Sequence, residues 1–288
     1  MVLLLGLLFL SMAAAQVSNP VREPSANNDN HGSQPIYRVE VVARTVKAVN
    51  YGHRTVPTKV DLRGTVLAPE ARGEARVESK RGAVEIEVQV SRLEAPSRFG
   101  NEYLTYVLWA ITPEGRSINI GELVLDGGNK GKLKVSTDLQ AFALIVTAEP
   151  YFAVTQPGDV VVMENVIRAD TIGKVEEVAA KYELMPRGHY TFVRPPQDDP
   201  HALAGKKLSM DQYEATLALY QALNAIQIAR AAGADREAAD TMRKAEKLYE
   251  DARNLQSRSA ASREVVTMAR QSAQTAEDAR AISAKHRP

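Results

Sequence analysis

Five histidines, His31, His53, His189, His201 and His286, are the side chains of this chain best suited to proton transfer or metal ligation near neutral pH. They are far apart in sequence. None lies in an H-E-x-x-H helix, whose i, i+4 spacing would put two imidazoles on one face. There is no cysteine, which removes disulfides, thiolate nucleophiles, zinc–thiolate sites and iron–sulfur clusters together. No G-x-S-x-G elbow presents a serine nucleophile. The run Asp126-Gly127-Gly128-Asn129-Lys130-Gly131-Lys132 gathers glycine, acid and base as phosphate or calcium loops do. Its spacing fits neither G-x-x-x-x-G-K-[ST] nor an EF-hand, and it reads as a hairpin turn. Carboxylates are plentiful without a paired signature. No catalytic, metal or cofactor-binding residue is therefore assigned, and no cofactor is expected.

The whole chain supports a folded, non-enzymatic reading. It has 288 residues, 44% apolar and 25% charged, which suits one large or two ordinary globular domains. Lys and Arg number 36 against 35 Asp and Glu, a net charge of +1. Such a balance creates no field for nucleic acid, which is excluded as a partner.

Residues 2–12, VLLLGLLFLSM, are almost wholly apolar and are followed by Ala13-Ala14-Ala15-Gln16. A run of about ten apolar residues is too short to span ~30 Å of hydrocarbon. Ahead of an A-x-A pattern it predicts a signal peptide over 1–15, cut between Ala15 and Gln16. The polar stretch that follows, 16–35, predicts a flexible mature N-terminus. No later segment is apolar enough to cross a membrane, so no integral span is expected once the signal is removed.

From residue 36 to 166 the apolar pattern has period two. Val84, Ile86, Val88 and Val90 alternate with polar residues as in a half-buried strand. Similar runs occur at 39–41, 59–62, 75–78, 117–120 and 133–135. The stretches YLTYVLWAIT (103–112) and FALIVT (142–147) are continuously apolar, as central strands are. Pro113-Glu114-Gly115 and Asp126-Gly127-Gly128 mark turns. Many short strands without helical pattern predict a sandwich, with Trp109, the one tryptophan, in its core. Tyr151-Phe152, just after Pro150, is the one candidate partner-binding pair, with packing at a strand end as its favoured role.

The stretch 73–150 resembles the extracytoplasmic domain of anti-sigma-K-type factors. The resemblance runs through GEARVES, VEIEVQVSRLEAP, Tyr106-Val107-Leu108-Trp109, Glu114-Gly115, Gly121-Glu122-Leu123 and the closing LIVTAEP. It implies a β-sandwich outside the cytoplasm. It does not carry over sigma-factor binding, which belongs to separate cytoplasmic and membrane segments in that family.

Prolines in Arg194-Pro195-Pro196-Gln197-Asp198-Asp199-Pro200 break both helix and strand. They place a linker within the connecting segment 167–208, where 171–181 forms a short helix or strand. Ser209 and Gln212 form a capping box, and a helix carrying Tyr213, Leu217, Tyr220, Leu223 and Ile226 ends at Gly233. Asp235 is expected to cap a second helix, with Met242, Ala245, Leu248 and Ala252 on one face. A third starts near Ser262 with Val265, Ala269, Ala273 and Ala276 inward. Residues 206–288 carry 14 basic and 11 acidic side chains. Pairs such as Arg243/Glu246 and Glu277/Arg280 at i, i+3 read as weak local pairs on a solvated face. An alanine seam buries little apolar area per residue, so these helices are expected to lean on a neighbouring domain or a second copy. The run 220–284 resembles the alanine-rich helical domain of unknown function found in bacterial envelope proteins, often ahead of a peptidoglycan-binding domain of the outer-membrane-protein-A type. It ends near Pro288, so no such domain is expected here. The resemblance implies an envelope location more than a glycan contact.

The expected fold is α+β and multidomain: an N-terminal immunoglobulin-like (Ig-like) antiparallel β-sandwich over 36–166, then a C-terminal three-helix antiparallel bundle over 209–288. The expected function is that of a non-catalytic structural or interaction protein of the bacterial cell envelope, in the periplasm or outer envelope. Its partners would be envelope proteins and, through the helices, itself. A peptidoglycan- or carbohydrate-binding module is the alternative.

Overall fold

The computed structural model of the protein describes residues 42–52, 56–126, 129–169, 171, 175–182 and 209–286. The leader with its cut between Ala15 and Gln16, the N-terminus 16–35, the alternation at 39–41 and the linker at 194–200 lie outside these residues. Among the described residues ten strands precede four α-helices. The strands are β1 (Val42–Asn50), β2 (Thr58–Gly64), β3 (Arg72–Lys80), β4 (Ala83–Ser91), β5 (Thr105–Ile111), β6 (Ser117–Leu123), β7 (Gly131–Thr137), β8 (Ala141–Glu149), β9 (Val161–Val166) and β10 (Val175–Tyr182). The helices are α1 (Met210–Ala231), α2 (Ala234–Glu237), α3 (Ala239–Ser257) and α4 (Ser262–Lys285). The segment at 171–181 thus contributes a strand, β10.

All strand pairs are antiparallel. The order is β10-β1-β8-β9-β2-β3-β4-β7, with β5 also on β8 and β6 on β5. The sheet therefore forks at β8. Its start pairs with β1 through Val49–Phe142 and Asn50–Ala141, while Ile145, Val146 and Thr147 pair with β9. Asn165 of β9 fills the fork like a piece of backbone: its Oδ1 accepts from Leu144 N at 3.0 Å and its Nδ2 donates to Lys47 O at 3.0 Å. The far strands curl back. A bridge between Leu125 and Gly131 joins the ends of β6 and β7, and a Cβ on Gly121 of β6 would meet Val135 Cγ1 of β7 at 3.1 Å. The result is a nearly closed antiparallel sheet.

Strand composition follows from what each face touches. Val84, Ile86, Val88 and Val90 point inward and are buried, and the alternate Glu85, Glu87 and Gln89 face out. Lys132 and Lys134 of β7 pair with Glu87 and Glu85 across that outer face. β5 and β8 are apolar on both faces because both are covered. Tyr106, Leu108, Phe142, Leu144 and Val146 line the interior of the sheet. Val107, Trp109, Ile111, Ala143 and Ile145 join a second core made with α1, α3 and α4. Sheet and helices accordingly form one compact unit, and the thin alanine seam leans on the sheet.

The Ser209–Gln212 capping box is formed, with Gln212 N donating to Ser209 Oγ at 3.3 Å and Ser209 N donating to Gln212 Oε1 at 3.1 Å. Gly233 follows α1 in the left-handed conformation, φ 85°. Asp235 does not cap a helix: it lies inside the single turn α2, and neither α2 nor α3 has a side-chain cap. α1 is buried along half its length, including Ala218, Ala222, Ala225 and Ala229, whereas α3 buries only Met242, Ala245 and Ala252. Alanine lets the backbones come close enough for Ser272 Oγ of α4 to donate to Ala245 O of α3 at 2.8 Å. No helix among the described residues is long and apolar enough to cross a membrane.

Candidate functional site

Residues 150–160 join β8 to β9 without regular structure, so their backbone groups need partners from elsewhere. Side chains of four elements supply them. Asn224 Nδ2 of α1 donates to Pro150 O at 3.2 Å, and Gln221 Oε1 of α1 accepts from Phe152 N at 2.9 Å. Asn119 Nδ2 of β6 donates to Phe152 O and Val154 O, both at 2.8 Å. Glu277 Oε1 of α4 accepts from Thr155 N at 2.9 Å, and Glu149 Oε1 of β8 accepts from Gly158 N at 2.7 Å. The loop is the hub at which sheet and helices meet.

Two carboxylates flank this loop in opposite states. Glu277 accepts Tyr151 Oη at 2.6 Å, Thr155 Oγ1 at 2.5 Å, and Arg280 through Nε at 2.7 Å and a terminal nitrogen at 2.8 Å. Burial pushes its carboxyl up, yet Arg280 and the hydroxyl donors outweigh burial and hold it below the usual glutamate value. The pair read from sequence as solvated is in fact a buried ion pair, with side-chain exposures of 9% for Arg280 and 0% for Glu277.

Glu149 ends a different chain. Trp109 Nε1 donates to Thr147 Oγ1 at 2.8 Å, and Thr147 Oγ1 donates to Glu149 Oε1 at 2.5 Å. Glu149 Oε2 is buried and accepts nothing. Burial pushes this carboxyl up to about 8, with the Asp159 and Glu277 carboxylates adding to the shift and the Thr147 and Gly158 hydrogen bonds opposing it. A value of about 8 makes it a neutral acid at neutral pH.

A third carboxylate closes the seam nearer solvent. Glu122 of β6, 6% exposed, accepts Thr105 Oγ1 and Gln221 Nε2, each at 2.8 Å, and pairs with Arg270 of α4 at 2.6 Å. The Arg270 guanidinium also stacks 3.8 Å above the Phe152 ring.

The structure turns the Tyr151–Phe152 pair inward. Tyr151 is fully buried with its hydroxyl on Glu277, and Phe152 packs half-buried beneath Arg270. Both side chains pack at the end of β8. Trp109 is a core residue that also starts a hydrogen-bond chain. Asp126 N donates to Lys130 O at 2.7 Å and Lys130 N to Asp126 Oδ1 at 3.0 Å, while Gly127 and Gly128 of the run read as a hairpin turn lie outside the described residues. Among the described residues no group of His, Asp and Glu is arranged to hold a metal ion. Of the residues that make the hub, Glu122, Glu149, Gln221 and Asn224 were not singled out in the sequence, and Glu277 and Arg280 were read only as a solvated pair. One signal was present: the buried stripe Ala269, Ala273, Ala276 continues at helical spacing onto Arg280, a charge on an apolar face. No protein family, curated protein or solved structure matches the chain.

Proposed function

We propose that the protein is an exported, non-catalytic structural or interaction protein of the bacterial cell envelope, in which the sheet and the helices act as one rigid body presented to a protein partner. The observation that carries this reading is the hub. Glu277 spends its hydrogen-bonding capacity on the protein itself, in five bonds, which is what a structural joint needs. The leader at 1–15 and the two resemblances support the envelope location. The nearly closed antiparallel sheet, forked at β8, supports an Ig-like sandwich, and three long helices support a small bundle docked on it. Fractionation of the native cell, combined with crosslinking and mass spectrometry, tests the proposal. Recovery in an envelope fraction crosslinked to envelope proteins is expected. Recovery in the cytoplasm would overturn it, and retention on purified peptidoglycan sacculi would replace it with the glycan-binding alternative.

A further inference from the structure

We propose that Glu149 is a proton-operated latch: while its carboxyl carries a proton the 150–160 loop stays closed and holds α4 on the sheet, and loss of that proton opens the loop. The inference is independent of which partner the protein meets. It rests on where the carboxyl sits. Glu149 is fully buried, and its single engaged oxygen is the acceptor for both the Thr147 hydroxyl and the Gly158 amide. That arrangement suits a neutral acid whose carbonyl oxygen takes two donors. It leaves an ionised group with half its charge on Oε2, which has no donor.

The surroundings make a buried charge there worse. The loop contributes Asp159 and Tyr151, and α4 contributes Glu277, so two further carboxylates raise the cost of ionisation. The cation of the cluster, Arg280, is bonded to Glu277 through two nitrogens. Farther along the seam Glu122 of β6 is paired with Arg270, and α1 offers the uncharged Gln221 and Asn224. An ionised Glu149 gains most by reaching water, and the cover over it is the loop. Lifting the loop breaks Gly158 N–Glu149, and with it the bonds that tie the loop to α4: Tyr151 and Thr155 to Glu277, and Arg280 to Thr155 Oγ1.

The sign follows from linkage. The closed form holds a proton up to about pH 8, whereas an exposed glutamate releases it near pH 4.3. Opening therefore releases one proton between these limits, and its equilibrium constant rises about tenfold per pH unit there and levels off above. Amide exchange of the full chain tests this, with rates corrected for intrinsic base catalysis. The opening constants of Thr155 and Gly158 should rise about tenfold per unit from pH 5.5 to 7.5 and flatten beyond pH 8. In Glu149→Gln they should not vary with pH. A flat profile in the wild-type chain, or the same slope in E149Q, would overturn the latch. If E149Q fails to fold, the carboxylic-acid infrared band of the wild-type chain decides. It should persist at pH 7 and vanish by pH 9.5, and its absence at pH 7 would overturn the proposal.

Discussion

Replacing Arg280 by Met would remove the one cation that bonds Glu277. Glu277 has no exposed surface, and two of its five hydrogen bonds come from Arg280, at 2.7 and 2.8 Å. A hydrogen bond to a charged group contributes about 1.5–3 kcal/mol. Breaking a buried ion pair from one side costs about 3–5 kcal/mol, because the remaining charge stays buried. The two routes agree, and about 4 kcal/mol is the expected loss at pH 7. For a folded unit of this size that corresponds to a fall in Tm of roughly 8–16 °C. The pH dependence should reverse as well. In the wild-type chain Glu277 lies below its ordinary value of 4.5, so its contribution is present above that pH and is lost as pH falls through the folded value. In Arg280→Met burial acts without the guanidinium, the folded value rises above the unfolded one, and stability declines as pH increases past about 4.5. Glu277→Leu combined with Arg280→Met should be milder than Arg280→Met alone, since no charge is stranded. Urea unfolding followed by Trp109 fluorescence at pH 5 and pH 7 measures all of this. A loss below about 1 kcal/mol at pH 7 for Arg280→Met would refute the reasoning.

Other substitutions probe the frame around the hub. Ser259, between α3 and α4, sits at φ 57°, and Ala260 N closes back onto Leu255 O at 3.0 Å. Ser259→Gly should therefore stabilise by about 0.5–1 kcal/mol, read as a higher urea midpoint with an unchanged slope. A Cβ on Gly64 would fall 1.8 Å from Ala68 O, so Gly64→Ala should open the 65–71 turn and cost about 3 kcal/mol in the same assay. Ala225 is fully buried in α1. Ala225→Leu should cost about 1–3 kcal/mol by overpacking, lowering Tm while far-ultraviolet dichroism stays helical.

Strands β2 to β8 were legible because each carried its own pattern, whereas β1 and β9 carried none that was read and β10 stayed open between helix and strand. Alternation marked β4, and continuous apolarity marked β5 and β8, although the reason for the latter, a helical layer on the outer face, lies about 100 residues downstream. Caps and breakers were legible for the same local reason: Ser209–Gln212 starts α1 and Gly233 follows it. Asp235 misled because a short turn, α2, intervenes between α1 and α3. The hub was largely illegible. Glu149 bonds Gly158 nine residues away, but Glu277 reaches Tyr151 across 126 residues and Gln221 reaches Glu122 across 99. Local charge patterning returns the same reading for a solvated pair and a buried one. Arg243 bears this out: it is exposed and pairs with Asp240, while Glu246 turns to Arg230 of α1.

The alanine seam raises the question of what sets the register of the helices on the sheet. A stripe of methyl groups offers nearly the same surface after a slip of one turn, so burial alone discriminates weakly between registers. The polar contacts discriminate strongly. A one-turn slip of α4 brings Ala273 or Ala281 to the place of Glu277, leaves the buried Tyr151 hydroxyl without an acceptor, and removes the acceptor of the more exposed Thr155 hydroxyl and amide. The same slip of α1 exchanges Gln221 for Leu217 or Ala225, and Asn224 for Tyr220 or Ile228, stranding Phe152 N and Pro150 O. A stranded group that stays buried costs about 1–3 kcal/mol, and the Tyr151 hydroxyl and Pro150 O are buried; together they amount to a few kcal/mol, a sizeable share of the stability of an ordinary domain. Apolar burial thus draws the helices onto β5 and β8, and the polar hub at 150–160 decides where along those strands they stop.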